Sequence, residues 1–341
     1  MSASASGGSL RRYVLTRIAL AIPMVLILLT MVFVLMRVAP GDPITASVGG
    51  RLTPEQIAER RAAAGWDRPL IVQYWEYLRS VVTLDFGTTI SDSRSVRDII
   101  VENGGATLTL TLGALLVALL LGLPLGLLAG RLRDTGFDVA VRLFGILTYA
   151  TPVFFVGLLA QLAFGSVLPV SGQASPFVQV GIEPVTRILL VDAMIAGDWN
   201  AVGDILTHLV LPACTLGLLT VGVFVRMIRV NVIQTLRADY VEAARARGVR
   251  EGAVLVRHAF RNALVPVVTV LGLQVAMLLG GAVLTETTFN WPGIGLELIE
   301  YINQRDYVAV QGIVTVFALV VVVISMLIDF VNALIDPRVR Y

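Results

Sequence analysis

The sequence predicts an all-α integral membrane protein that crosses the bilayer six times, and three observations predict it. Of the 341 residues, 56% are apolar and only 15% charged, with a mean hydropathy of +0.83; a soluble domain carries about 25% charged residues. Six apolar runs reach the roughly 20 residues that a hydrocarbon slab of about 30 Å requires at about 1.5 Å per helical residue. Arginine gathers in alternate connections between those runs, the asymmetry that sets orientation in a membrane.

Residues 1–13, with Arg11 and Arg12, read as a cytoplasmic N-terminus, and residues 14–37 as the first span. This apolar run exceeds the roughly 7–15 residues of a secretory signal core and precedes no small-x-small cleavage site, so it reads as uncleaved. Residues 38–105 mix seven arginines with nine acids and read as an extracytoplasmic insertion. Within it, Thr53-Pro54-Glu55-Gln56 is written as a helix start: Thr53 as N-cap, Pro54 at the first helical position and Gln56 at the third, with the helix running to about Ala64. The other spans are expected at 106–130, 141–164, 206–225, 263–284 and 308–328, so that residues 106–335 form a five-helix core. The stretch 189–201 is too short to cross and reads as an interfacial helix.

Arg131, Arg133 and Arg142 flank the second connection. The fourth, 226–262, holds Arg226, Arg229, Arg237, Arg245, Arg247, Arg250, Arg257 and Arg261 against Asp239, Glu242 and Glu251. The third has Arg187 against Glu183, Asp192, Asp198 and Asp204, and the fifth has Arg305 against Glu286, Glu297, Glu300 and Asp306. Both termini, including residues 336–341, are therefore expected inside.

Composition also excludes functions. All 26 basic residues are Arg, which removes Schiff-base chemistry, a lysine general base and the phosphate-binding lysine of a P-loop. Cys214, His208 and His258 leave no internal disulfide and too few ligands for a zinc site. A formal charge of +2 gives no argument for nucleic acid. No H-E-x-x-H motif is present, and neither histidine has a serine or carboxylate partner nearby in sequence that would suggest hydrolysis.

Ion-coupled carriers place ionisable or ion-ligating groups at mid-depth. Here Arg17, Arg142, His208, Arg226, Glu286 and Asp329 fall near the ends of the expected spans, and the interior polar residues are mostly Thr, Gln161 and Gln274. A neutral pathway driven from outside the membrane fits that pattern. Gln161 and Gln274 are read either as lining such a pathway or as making interhelical hydrogen bonds. Gly122, Leu123, Pro124 and Gly126 in the second span and Pro152 in the third mark sites of close helix approach or kinking, with ordinary helix packing the plainer alternative.

The fourth connection contains a helix with both ends specified. In Asp239-Tyr240-Val241-Glu242-Ala243-Ala244-Arg245-Ala246-Arg247-Gly248, Asp239 is placed to cap, Glu242 completes a box, and Gly248 supplies a left-handed stop. Small Ala243, Ala244 and Ala246 suit entry into a cleft, while Arg245 and Arg247 suit acidic neighbours or lipid headgroups. A basic helix resting on anionic lipid is the plainer alternative.

The run Glu242-Ala243-Ala244, three residues, then Gly248 resembles the EAA motif of ABC importer permeases, and His258-Ala259-Phe260-Arg261-Asn262-Ala263-Leu264-Val265-Pro266 resembles the form in the dipeptide, oligopeptide and nickel branch. Ala39-Pro40-Gly41-Asp42-Pro43, Asp67-Arg68-Pro69-Leu70, Leu168-Pro169-Val170-Ser171-Gly172, His208-Leu209-Val210-Leu211-Pro212, Phe289-Asn290-Trp291-Pro292-Gly293-Ile294-Gly295, Arg305-Asp306-Tyr307 and the ending Asp336-Pro337-Arg338-Val339-Arg340-Tyr341 are similar to that branch's first permease subunit. Ala150-Thr151-Pro152-Val153-Phe154, where a serine often precedes the proline, and Val331-Asn332-Ala333, where an aromatic is common, depart from the pattern.

The resemblance implies a six-helix type I ABC importer permease in a bacterial plasma membrane, carrying di- or oligopeptides, with nickel or another small solute as the alternative; an ion-coupled secondary transporter is the competing class. It implies no catalytic residue, metal or cofactor in this chain, ATP and Mg bound by two partner ATP-binding subunits or domains, a homologous second permease, and an extracytoplasmic substrate-binding protein. Asp239, Tyr240, Glu242, Ala243, Ala244, Arg245, Arg247 and Gly248 would couple to the ATPases, Glu242 anchoring the helix start and Ala243 with Ala244 forming the contact face.

Overall fold

A backbone in hydrocarbon has no water to satisfy its N–H and C=O groups, so apolar runs of spanning length fold as helices. The computed structural model describes residues 6–38, 53–63, 66–260 and 263–335. Five of its helices are long and apolar enough to cross a membrane, and a bent pair makes a sixth when counted as one span. Among the described residues the regular structure is helical, apart from an isolated antiparallel bridge between Thr88 and Ser95. The segments 39–43 and 336–341 lie outside the described residues.

α1 (Ser6–Val38) is the first span. α2 (Pro54–Ala63) begins as expected with a reciprocal box: the Thr53 N–H donates to Gln56 Oε1 at 3.0 Å and the Gln56 N–H to Thr53 Oγ1 at 3.4 Å. Ala64, its expected end, lies outside the described residues. α3 (Leu70–Thr83) packs on α1 through Tyr74 and Tyr77, whose rings lie 5.3 and 5.8 Å from that of Phe33.

The expected spans 106–130 and 206–225 are only the middles of α4 (Val96–Arg131) and of α9 (Trp199–Leu236). Charged residues ended the apolar runs but do not end these helices: Arg97, Asp98 and Glu102 sit in the opening turns of α4, and Arg226 and Arg229 well within α9. Asp198 caps α9, accepting from the N–H groups of Asn200 and Ala201 at 3.1 and 3.0 Å. The stretch 189–201 is accordingly not one helix but α8 (Leu189–Ala196), a left-handed Gly197 and this cap; α7 (Pro176–Gly181) precedes it.

The single span expected at 141–164 is instead α5 (Gly136–Ala150) and α6 (Val153–Phe164), meeting at 106°. Proline removes a helical N–H and pushes the residue before it out of helical backbone; Thr151 takes ψ 130° and Pro152 opens α6. The expected kink is sharp enough to divide the span.

α4 and α9 form the central pair. A Cβ at Gly122 would lie 2.7 Å from Phe224 Cβ, and one at Gly126 would lie 2.7 Å from Ile228 Cβ. Four-residue spacing puts these glycines on one helix face, and the absent side chains let α9 seat Phe224, Ile228 and Val232 against α4 without solvent exposure. α5 crosses α9 where Gly145 and Gly222 touch backbone to backbone. About two turns along each helix from that contact, the fully buried Asp138 carboxylate accepts from both Nε and a terminal amino group of Arg229, the latter at 2.7 Å.

After α10 (Asp239–Ala246), α11 (Glu251–Ala253) and a π-helical segment, Val254–Phe260, α12 (Val265–Phe289) crosses back. It runs past the expected 284, into a buried corner. Glu286 sits inside that corner and not at an exposed span end: fully buried, its carboxylate accepts from Thr107 Oγ1 at 2.7 Å, the Gly295 N–H at 2.7 Å and the Leu296 N–H at 3.0 Å. The fully buried Trp291 donates from Nε1 to the Ala106 carbonyl at 2.9 Å. Together these bonds tie α4, α12 and α13 (Ile294–Asn303) before α14 (Tyr307–Ile335) returns beside α1. His208 is buried inside α9, its Nδ1 2.8 Å from the Asp204 carbonyl and 3.6 Å from Asp204 Oδ1, so a carboxylate one helical turn away does neighbour it, contrary to the expectation from sequence.

Candidate functional site

Two features gather the chemistry that hydrophobic packing does not consume: the α10 helix and a cavity between α5, α9 and α12.

α10 has the eight residues that the sequence specified, but Ala238 occupies the N-cap and no side chain caps there; Asp239 is instead the first helical residue. Asp239 and Glu242 both lie in the first turn, where the helix dipole favours negative charge. The other end follows expectation. Gly248 takes φ +76°, its N–H donates to the Arg245 carbonyl at 2.9 Å, and the Val249 N–H reaches back to the Ala244 carbonyl at 3.2 Å. These are the two bonds of a Schellman stop, and Val249 packs beside Ala244 as that motif requires.

A period of 3.6 residues divides α10 into two faces. Val241 and Ala244 turn inward onto Val254, with Leu236 and Val249 around them. Tyr240, Glu242, Ala243, Ala246 and Arg247 are exposed. Ala244 is therefore packing, not contact surface, and the expected two-alanine face reduces to Ala243 with its polar flanks. Arg245 folds back, donating from Nε to Glu251 Oε1 at 2.7 Å. That bond raises the Arg245 pKa and holds the Glu251 carboxyl below its ordinary range.

The cavity, of about 680 Å³, is lined on its polar side by Arg142 and Tyr149 of α5, Arg226 and Arg229 of α9, and Gln274 of α12. Arg229 is committed to Asp138, and Arg142 lies 3.6 Å from that same carboxylate. Arg226 has no ion-pair partner among the described residues. Gln274 is only 2% exposed, and its Oε1 accepts no hydrogen bond.

Of the two glutamines singled out from sequence, the structure places Gln274 on the cavity. Gln161 is elsewhere, its amide donating to the carbonyls of Val170 at 3.0 Å and Thr288 at 2.9 Å, which fastens α6 to α12. Sequence reasoning missed Arg142 and Arg226 as cavity residues, having assigned them to connections. The signal was present in their spacing: Gly222, Arg226 and Arg229 follow at helical intervals of four and three.

Comparison with known proteins follows the same lines. The family model described as binding-protein-dependent transport system inner membrane component matches residues 122–341, and that for the N-terminal part of such membrane components matches residues 10–111. The di/tripeptide transport system permease protein DppB of Pseudomonas aeruginosa is 37% identical over 333 residues, covering 96% of this chain and 98% of its own length. The dipeptide transport system permease protein DppB of Escherichia coli is 36% identical over 335 residues, covering 97% and 99%. The glutathione transport system permease protein GsiC of Salmonella choleraesuis is 34% identical over 329 residues, covering 96% and 99%.

Proposed function

This chain belongs to the family of binding-protein-dependent transport system inner membrane components, and on that footing we propose that it conducts di- or oligopeptides as one permease subunit of an ATP-driven importer. Peptide transport is the activity for which the dipeptide and di/tripeptide relatives that match almost its whole length are named. Its partners are a homologous second permease, two ATP-binding subunits or domains that hold ATP and Mg, and a substrate-binding protein.

The observation that carries the mechanism is the division of α10. Val241 and Ala244 anchor the helix to the permease, and the Schellman stop at Gly248 fixes its exit. Tyr240, Glu242, Ala243 and Arg247 remain outward for an ATPase groove. When the ATPases close on ATP, a helix held on one face and gripped on the other moves as a rigid lever, and the α9 helix just before it carries that motion into the membrane. The termini and α10 lie on the cytoplasmic side, and the insertion after the first span on the other, where residues 44–100 contact the binding protein.

Co-reconstitution of the full importer in proteoliposomes tests this. With Cys214 replaced by Ser, Ala243→Cys is expected to crosslink to an ATPase subunit, Ala244→Cys is not, and dipeptide uptake should require ATP. Uptake by the permeases without ATPases would return the ion-coupled reading. Failure of Ala243→Cys to crosslink would remove α10 as the contact.

A further inference from the structure

The peptide reading leaves open how a passive conduit recognises its cargo, and the cavity between α5, α9 and α12 bears on this. It holds an exposed cation and a buried acceptor, each without a partner of its own among the described residues. Arg226 presents a guanidinium with no carboxylate partner among the described residues, and Gln274 presents a buried acceptor oxygen with no donor. The ion pairs of the three lining arginines among the described residues go to Asp138, bound bidentately to Arg229, with Asp134 a further acid near Arg229, so three arginines face two carboxylates. A buried carbonyl left unbonded is costly.

The remaining wall is apolar: Val141, Ile146, Val223, Val230 and Met277. A volume of about 680 Å³ lies within the roughly 300–1,000 Å³ typical of small-molecule sites. The cavity therefore offers a cationic end, a glutamine on its wall whose buried oxygen has no donor, and apolar surface for variable side chains.

Resting on the peptide reading, we propose that this cavity is a recognition subsite for the C-terminal carboxylate of the transported peptide. Arg226, supported by Arg142, pairs with the carboxylate, and the Gln274 amide, whose Oε1 is buried without a donor, turns on binding to accept from a peptide N–H. Binding through carboxylate and backbone alone tolerates many side chains while rejecting cations and amidated peptides. Arg229 has a different role: bound to Asp138, it holds α5 against α9 and so positions Arg142 beside Arg226.

An anionic lipid phosphate shares the carboxylate's chemistry, and the experiment separates the two. The complete importer, with its binding protein, is reconstituted in purely zwitterionic vesicles and in vesicles containing anionic lipid, and uptake of a free dipeptide is measured for wild type, Arg226→Gln, Arg226→Lys and Gln274→Leu. A charge-assisted hydrogen bond lost to Arg226→Gln is expected to raise the KM for uptake on the order of tenfold in both vesicle types. Arg226→Lys should restore most of it, and Gln274→Leu should give a smaller loss. ATP hydrolysis stimulated by the binding protein should persist in all variants, which shows that each assembles and couples. Unchanged uptake in Arg226→Gln overturns the subsite alone, and a defect confined to anionic vesicles overturns it in favour of lipid. Absence of peptide uptake by the wild type, with binding protein and ATPases active, overturns the peptide reading itself.

Discussion

The Glu286 corner and the α10 helix are built by opposite means. At the corner, one buried carboxylate collects donors from α4 and α13, and Trp291 is sealed without solvent exposure against Ala106. α10 is held by a small cluster around Val241, Ala244 and Val254, a local stop and an exposed ion pair. Elements with few buried contacts open most easily, and those that must meet a partner belong to that class. The corner fixes where spans meet; α10 is left able to be pulled. Substitutions should separate them, destroying the fold at the corner and the coupling at α10.

The largest effect is expected from Glu286→Ala. It leaves the Thr107 hydroxyl and the Gly295 and Leu296 N–H groups buried without an acceptor, at about 1–3 kcal/mol each. The variant should lose its monodisperse peak and thermal transition in detergent. Glu286→Gln, which keeps one acceptor, should recover part of both. A Glu286→Ala protein as stable as wild type would show that the corner anchors nothing.

Next comes helix approach. Gly126→Val would bring its Cβ to 2.7 Å from Ile228 Cβ and 2.9 Å from the Val225 carbonyl, and a backbone atom cannot swing aside. Overpacking of this kind costs about 1–3 kcal/mol. Gly203→Ala, on α9 with no atom within 4 Å of the added Cβ, should be neutral or slightly stabilising in the same thermal assay. Equal behaviour of the two would remove close packing as the reason for glycine at 126.

These positions differ in how far the sequence announces them. Gly122 and Gly126 are readable because four-residue spacing is a local property of one helix. The α10 boundaries are readable because Gly248 sets a stop within a few residues, and the box at Thr53 and Gln56 is readable for the same reason. The Glu286 corner is not: its partners Thr107 and Ala106 stand about 180 positions away in the chain, and a charged residue beside Thr287 and Thr288 reads as the end of a span. The length of α9 is hidden by the same logic, because charge at Arg226 ends an apolar run but the helix continues on tertiary packing against α4. Ala244 was assigned outward because small size was counted without helical phase; Val241, three residues earlier on the same face, shows which way it turns.

A smaller, purely functional effect is expected at Gly248. A Cβ there meets nothing within 4 Å, but φ +76° is strained for any β-branched residue, by about 1–3 kcal/mol. Gly248→Val should therefore release its strain locally, loosening the stop and changing the exit angle of α10, while the packed spans keep their thermal transition. Its importer should hydrolyse ATP with uptake much reduced per ATP. Normal uptake per ATP in that variant would mean the exit angle is irrelevant to transmission.

The smallest effect belongs to the exposed pair of Arg245 and Glu251, which braces the stop from outside. The hydrogen bond from Arg245 lowers the Glu251 pKa, so its contribution is present above the ordinary glutamate value of about 4.3 and is lost as pH falls through the lowered folded-state value. The pair is exposed, so salt should weaken it as well. Protection of the Gly248 and Val249 amides, which close the Schellman turn, should be slightly lower in Arg245→Ala than in wild type at neutral pH. The difference should shrink in about 1 M salt, where the Debye length is about 3 Å, and vanish once Glu251 is protonated. A difference that survives acid and salt unchanged would assign the brace to the Arg245 side chain packing over Leu236, to whose carbonyl it also reaches at 3.4 Å, and not to its charge.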